Sequence, residues 1–406
     1  MQDTDTPPPT SPAVFPLGRK GLIVYLAFLS AFVPLTTDLY LPALPSMVQV
    51  FSTTPQIANF TLSFFMLFFA VSMLLWGPFT DKYGRKPILY IGLALYLTGC
   101  LVCIFAFSIT MLIAGRVLQA IGSGAIQAVS MAIVKDCFQG EQMERVLVWI
   151  QTLVILAPML APIIGAQLLH LTSWQGLFVF LGGCGSLATI MACCLKETLQ
   201  NATEGPALQS LGRIGYVLSH RGYRILLLVF SMMCMPVMSF LSTSSFIYIN
   251  LFDLSEQQYS YFFAFNGCFA MLAPIAYMRL LRKLPRRFFI TLCFCCVACS
   301  GAAVLCFGNA SPYLFALLYV PVTFFGSAVR PAGTMLVMTQ LDTDNGTVGA
   351  LFGCVALLFG SISMLLCSLD WPILTMAVGT ISLTTGLLCL AIWLTASFRK
   401  MFRMTG

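Results

Sequence analysis

Two ionisable side chains stand in stretches of this chain that are otherwise too apolar for water. Asp38 lies in VPLTTDLYLPALP, residues 33–45, and Arg116 in GRVLQAIGSG, residues 115–124. A carboxyl group held away from water changes protonation when its surroundings change, so an acid and a base at membrane depth are the parts of a proton switch. A charge at a helix centre inside a bilayer costs about 2.5 to 3.5 kcal/mol. Asp38 should therefore face a cavity or a partner; the alternative is an interfacial carboxylate that snorkels to the surface. At about 1.5 Å per residue, Asp38 lies about 10 Å from the outer end of its span and Arg116 about 9 Å. Equal depth makes Arg116 the expected partner of Asp38, and a role in tying its helix to backbone carbonyls is compatible with that.

Steps of three or four from Arg116 reach Gln119, Ser123, Gln127 and Ser130, a polar stripe on one helix face that is expected to line a cavity, with Tyr40 beside Asp38 in the same lining. Further along, SFLSTSSFIYIN (239–250) and YSYFFAFNG (259–267) mix hydroxyls with aromatic rings, which suits an amphiphilic ligand. Phe240, Ser242, Phe246, Tyr248, Tyr261 and Asn266 are the candidates. With 34 phenylalanines in the chain, lipid-facing or core positions are the plain alternative for any one ring. Arg330, near a helix end, is expected to snorkel or to pair with Asp342 or Asp344 rather than touch substrate. LAPMLAPIIGAQLLH (156–170) sets Pro158 and Pro162 four apart and repeats a small residue at Ala157, Ala161 and Gly165. Prolines bend a rod and small residues let rods approach, so this segment is expected to be bent and closely packed. His170 and His220 are given no special role.

What must position these residues is a set of membrane helices. The chain is 59% hydrophobic and 9% charged, against about 25% charged in a soluble domain. A span needs about 20 apolar residues, and hydropathy supports twelve: 21–43, 56–79, 87–107, 110–134, 145–169, 174–195, 224–249, 256–278, 287–308, 312–337, 346–368 and 371–395. The fold class is all-α, two six-helix halves (21–195 and 224–395) with a disordered, proline-rich N-terminus (1–20), a polar linker (196–223) and a short tail (396–406). Of the 21 basic residues, all but Arg116 and Arg330 fall in alternate connections and at the two ends, while the other connections carry Asp253, Glu256 and Asp370. Retention of bases on the cytoplasmic side then puts both termini there. The net charge of +7 is thus explained by topology, and no nucleic-acid partner is expected.

The longest polar interruption among the first helices is GPFTDKYGRKP, Gly77 to Pro87, expected to be a hairpin loop that turns at Gly84 and carries Asp81, Lys82, Arg85 and Lys86. A basic stretch, MRLLRKLPRR (278–287), recurs at the matching place in the second half without the acid or the glycines, as an old duplication would leave it. Sixteen cysteines, nearly all within spans, read as small buried thiols; Cys295 and Cys299 share a face but have no histidine partners for zinc. No H-E-x-x-H, G-x-S-x-G or G-x-x-x-x-G-K-[ST] occurs, so neither an enzyme nor an ATP-driven pump is expected.

The loop pattern G-x-x-x-D-[RK]-x-G-[RK]-[RK] resembles the signature loop of the major facilitator superfamily, with Phe79 where leucine is usual. Together with DLYLPALP, GRVLQA, the prolines followed by SWQGLF (173–178), LKET (195–198), SFLSTSSFIYI and NGTVGA (345–350), the chain resembles the bicyclomycin/chloramphenicol-resistance branch of the drug:proton antiporters. The resemblance implies a bacterial inner-membrane exporter working by alternating access, with Asp38 and Arg116 in proton coupling, no cofactor beyond the proton, a small amphiphilic substrate and a monomer in the bilayer. It also implies that Gly77, Asp81, Gly84, Arg85 and Lys86 gate the cytoplasmic side, Asp81 pairing with nearby bases and the start of helix 11, and that Pro158, Pro162 and Gly165 form a hinge. Helix 2, with FFAVSMLLWG, and helix 7, with Ser244 and Ser245 where a G-P pair is common, depart from the pattern. A metabolite transporter on the same scaffold and a non-transporting membrane sensor stay open.

Overall fold

Twelve rods account for nearly all of the computed structural model, which describes residue 15 and residues 18–199, 212–279, 281–340 and 345–398. They are α1 (Gly18–Val50), α2 (Pro55–Tyr83), α3 (Arg85–Ile104), α4 (Ile109–Cys137), α5 (Gly140–Leu171), α6 (Trp174–Cys193), α7 (Arg221–Leu251), α8 (Glu256–Arg279), α9 (Arg286–Phe307), α10 (Pro312–Met338), α11 (Asn345–Cys367) and α12 (Leu374–Phe398). Among the described residues there is no strand. Eleven of the rods are long and apolar enough to cross a membrane. The described apolar stretch of α5, Leu156–Leu171, is shorter, within a helix of 32 residues, a rod of about 48 Å at about 1.5 Å per residue. The chain is a multi-pass membrane protein.

The second six rods repeat the packing of the first. α4 packs on α2 and α3, as α10 does on α8 and α9; α6 packs on α3, as α12 does on α9. The halves meet along α2 with α11 and α5 with α8, a pair of contacts related by the same offset of six. In the first half the tightest seam is α3 on α4, where Gly92 and Gly99 face Gly115 and Gly122; a Cβ at Gly99 would stand 2.7 Å from the Gly115 carbonyl oxygen. Backbones can approach that closely only where no side chain intervenes.

Three sequence expectations need correction. α2 does not end at residue 79 or loosen into a loop at Gly77: it continues as helix through Pro78 to Tyr83, and the turn is Gly84 alone, at φ +100°. Pro78 removes one donor, yet Phe79 to Tyr83 keep the helix going, and only the glycine adopts the reversed backbone without strain. The expected loop is therefore the last two turns of α2, a one-residue corner and the first turn of α3.

α1 extends past residue 43, but in pieces. Helix Gly18–Ser30 is followed by Phe32–Asp38, a 3-10 turn at Leu41–Ala43 and a short helix to Val50. Pro42 and Pro45, which lack N–H groups, sit where the ladder is remade. The cysteines are also mixed rather than uniformly buried: all sixteen are free, and Cys193, Cys194, Cys299 and Cys306 are exposed at faces and ends that no neighbouring rod covers.

Candidate functional site

Asp38 ends the helical piece Phe32–Asp38 and is 3% exposed, with Thr37 Oγ1 donating to its Oδ1 at 3.0 Å. Immediately after it the chain breaks, and the Leu41–Ala43 turn packs against α7 and α8 of the other half and against α5. The close fit to α5 is made by Gly165, where any Cβ would collide with the Leu39 carbonyl oxygen. Pro162 takes part through its carbonyl, which accepts from Ser260 Oγ of α8 at 2.9 Å. α5 runs as one helix through Pro158 and Pro162, so in this conformation the segment expected as a hinge forms part of the seam around the break.

Arg116 is wholly buried but does not pair with Asp38: no ion pair joins them within 4.0 Å, whereas Arg85 makes ion pairs with both Asp81 and Asp136. Its Nη1 donates to the Thr36 carbonyl at 3.1 Å and to Gln119 Oε1 at 3.0 Å, while the guanidinium lies 5.1 Å from the Tyr40 ring centre and 4.5 Å from that of Phe65. Equal depth was correct and direct contact was not. A backbone carbonyl two residues before Asp38 takes the hydrogen bond, and two π faces supply the remaining negative potential, about 2 kcal/mol or more when desolvated.

The polar stripe of α4 is a helix seam more than a wet wall. Ser130 bonds to Ser30 Oγ at 3.1 Å and donates to the Leu26 carbonyl at 3.2 Å. Gln119, expected in the cavity, faces α3 instead, holding Arg116 with Oε1 and donating Nε2 to Cys100 Sγ at 3.1 Å. Ser123 is buried, and Gln127 alone of the stripe is half-buried. The glycines at positions 92, 99, 115 and 122 draw α3 so close to α4 that this face has little room for water.

In the second half the expected aromatic residues do gather, with one exception. Phe240 stacks on Tyr319 at 4.5 Å between ring centres and also meets Phe263 and Phe315; Tyr248 stacks on Phe262 at 4.9 Å and meets Phe315 edge-on. Tyr261 lies outside this group, 56% exposed, its hydroxyl accepting from Gln257. Tyr259 is the buried tyrosine, sharing a hydrogen bond with Ser244 at 3.2 Å. Tyr259, Phe263 and Asn266 fall on one helical phase and Tyr261 about 200° away from Tyr259, a signal that the sequence contained. Ser242 and Phe246 are buried on α7, and Ser242 Oγ donates to the Ser239 carbonyl.

Buried polar atoms without a partner concentrate in these segments. Six of the ten such atoms among the described residues are Arg116 Nε and Nη2, Ser123 Oγ, Ser245 Oγ, Tyr248 OH and Asn266 Oδ1. A buried polar atom left without any partner costs about 1 to 3 kcal/mol; these six lie on α4 in the first half and on α7 and α8 in the second. Arg330 is exposed and donates to Cys234 Sγ of α7 at 3.7 Å; its expected partners Asp342 and Asp344 lie outside the described residues.

At the opposite end of the first half, Arg85 is the hub of a charge cluster. It meets Asp81 at 2.7 Å and grips Asp136 of α4 with two bonds, 2.8 and 3.1 Å, while Thr198 Oγ1 donates to the same carboxylate at 2.9 Å. Glu197 caps α3: its two oxygens accept from the backbone N–H groups of Arg85, Lys86, Thr198 and Leu199 at 2.9 to 3.0 Å. Burial works against its charge, but the four amide bonds outweigh it and hold the carboxyl below its usual range. Lys86 Nζ donates to the Cys193 carbonyl at 3.3 Å. A Cβ at Gly84 would stand 2.7 Å from Glu197 Oε2, whereas Gly77 has open space around it. Asp81 is half-exposed and bound to Arg85; the side chains at the start of α11 that were expected to meet it lie outside the described residues. Asp136 and Glu197 had been given no role from sequence. The available clue was a helix start that its own Gly84 cannot cap.

The Major Facilitator Superfamily description matches residues 26–364. Among curated proteins the chain is similar to the bicyclomycin resistance protein homolog of Haemophilus influenzae, 27% identical over 64% of this chain and 66% of that one, and to multidrug resistance protein D of Escherichia coli, 24% identical over 82% and 84%. It is also similar to the uncharacterized MFS-type transporter YdgK of Bacillus subtilis, 29% identical over 61% of this chain. The Bacillus and Haemophilus matches span slightly less than two thirds of those relatives' length. Among solved structures the fold is similar to an inward-facing bacterial homolog of the human lysosomal transporter Spinster, TM-score 0.73, 14% identity, covering 96% of this chain and 99% of that one. A D-xylose–proton symporter superposes at TM-score 0.69, with 12% identity, over 91% and 97%.

Proposed function

Because the chain belongs to the major facilitator superfamily, we propose that it exports small amphiphilic drugs across a bacterial inner membrane in exchange for protons, by alternating access, with both termini in the cytoplasm. The observation that carries this reading is the position of Asp38: a buried acid at the end of a helical piece, one residue before a break that packs on both halves. Any rearrangement of the halves moves the break, so hydration of the carboxyl and closure of the seam change together. Arg116, held over Tyr40 and Phe65 and bonded to the Thr36 carbonyl, anchors the same piece of α1 and acts on Asp38 through position and field. The stacked rings around Phe240 and Tyr248, with the unpartnered hydroxyl of Tyr248 and carbonyl of Asn266, supply an apolar body and polar tips for the drug. One proton moving down 100 mV supplies about 2.3 kcal/mol, roughly a fifty-fold gradient of a neutral substrate. The names of the Haemophilus and Escherichia relatives favour drugs over metabolites as cargo.

The test uses everted vesicles with an acidic lumen and a panel of drugs and metabolites. At least one drug is expected to dissipate the pH gradient with the intact protein and not with Asp38→Asn. If a metabolite moves protons and no drug does, the cargo reading falls; if both versions behave alike, Asp38 is not the coupling acid.

A further inference from the structure

At the end of the molecule away from Gly84, α2 and α11 are latched by Asn59, whose Nδ2 donates to the Met364 carbonyl at 3.2 Å and to Ser368 Oγ at 2.9 Å. Beside this latch is a cavity of about 320 Å³, within the span of small-molecule sites, about 300 to 1,000 Å³. Its walls come from both halves: Gln56 and Asn59 of α2 on one side, Thr243, Phe246 and Asn250 of α7 and the loop residue Trp371 on the other, with no charged residue in the lining among the described residues.

The hydrogen-bonding character of this wall is lopsided. Asn59 is 3% exposed, and its Oδ1 has no partner. The amide cannot be turned over to cure this, because the Met364 carbonyl only accepts and must face Nδ2. Of the nearby donors, the Ser242 and Thr243 hydroxyls give to the Ser239 carbonyl and Trp371 Nε1 to the Leu366 carbonyl at 2.8 Å, while the side-chain amides of Gln56, half-buried, and Asn250, exposed, also line the cavity. Among the buried groups of the lining, that leaves an orphan acceptor in a wall that also carries the rings of Phe246 and Trp371.

We propose that this seam cavity is a ligand site separate from the Asp38 region, taking a neutral amphiphile with an aromatic body and one O–H or N–H donor that reaches Asn59 Oδ1. Since its walls belong to both halves, the site is complete only while this end is shut, and an occupant favours that state by its differential affinity. This inference does not depend on what the protein exports.

The probe is 4-nitrobenzyl alcohol, neutral and able to quench tryptophan on contact, with 4-nitrobenzyl methyl ether as the analogue lacking the donor. Full-length protein in nanodiscs is titrated with each, corrected for partition into empty discs, and Trp371→Phe identifies the Trp371 signal. The alcohol should quench saturably, the ether at about fivefold higher concentration, the worth of one ordinary hydrogen bond. Asn59→Ala should erase the preference. Ser368→Ala, which weakens the latch but leaves Oδ1, should keep it. Quenching that never saturates, equal affinities in the intact protein, or a preference that survives Asn59→Ala would each overturn the site.

Discussion

The corner after α2 and the connection after α8 occupy matching places in the two halves and are built differently. The first is closed by acids: Arg85 joins Asp81 to Asp136, and Glu197 caps the start of α3. The second, as far as its described contacts go, is held by its bases in another way. Arg287 donates to the Ser397 carbonyl, Arg286 approaches Met335 sulfur at 3.7 Å, and α9 begins at Pro285 with no side-chain cap. Positive charge alone suffices to orient a helix pair in the membrane. Acids and a left-handed glycine add something else, a corner of fixed geometry. The same asymmetry holds deeper in the fold, where the first half carries Asp38 and Arg116 and the second carries stacked rings. The buried Asp38 and Arg116 lie in one half and the ring stacks around Phe240 and Tyr248 in the other.

The largest expected effect tests that division at its root. Asp38→Asn should lower substrate-driven proton release at least about a hundredfold, with a thermal midpoint close to that of the intact protein. A mutant that still couples would mean the acid lies elsewhere. Next, Arg85→Ala should destabilise by about 2 to 3 kcal/mol, less than the about 3 to 5 of a fully buried pair because Asp81 is half exposed; Arg287→Ala should cost no more than about 1 kcal/mol. Unfolding in nanodiscs reads both, and equal losses would remove the contrast between the corners.

Gly84→Ala should cost about 1 to 2 kcal/mol, since the φ of +100° is strained for alanine and its Cβ would press on the capping carboxylate; Gly77→Ala, in open helix, should be neutral or slightly stabilising. The smallest effect is a pH dependence. Glu197 has a folded-state pKa below its unfolded value, so the unfolded chain binds more protons as acid is added. Its stabilisation is complete above the ordinary carboxylate range and is lost as pH falls through the lower folded value. Glu197→Gln should flatten the acid limb of a stability profile below about pH 4.5; an unchanged limb would assign that limb to other carboxylates.

Hydropathy located the spans well because burial in lipid is a property of each segment by itself: α8 was expected at 256–278 and runs Glu256–Arg279. What it left illegible were choices of partner. Equal depth could bring Arg116 to the level of Asp38 but could not say that a carbonyl and two rings would satisfy it first. Polarity marked 77–87 as a loop, although a helix end protruding beyond the apolar layer is equally polar. Asn59 and Glu197 became visible only once distant segments, at Met364 and at Arg85, were brought beside them.

The surroundings of Arg116 also bear on how the protein is made. Thr36, Tyr40 and Phe65, which receive its guanidinium, and Cys100, which steadies Gln119, all precede it in the chain. Synthesis runs from the N-terminus, so every partner outside α4 itself has left the ribosome before this arginine does. A helix that would pay heavily to enter lipid alone arrives to find its socket already synthesised, and a rearranged gene placing α4 before α1 would lose that advantage while encoding the same contacts.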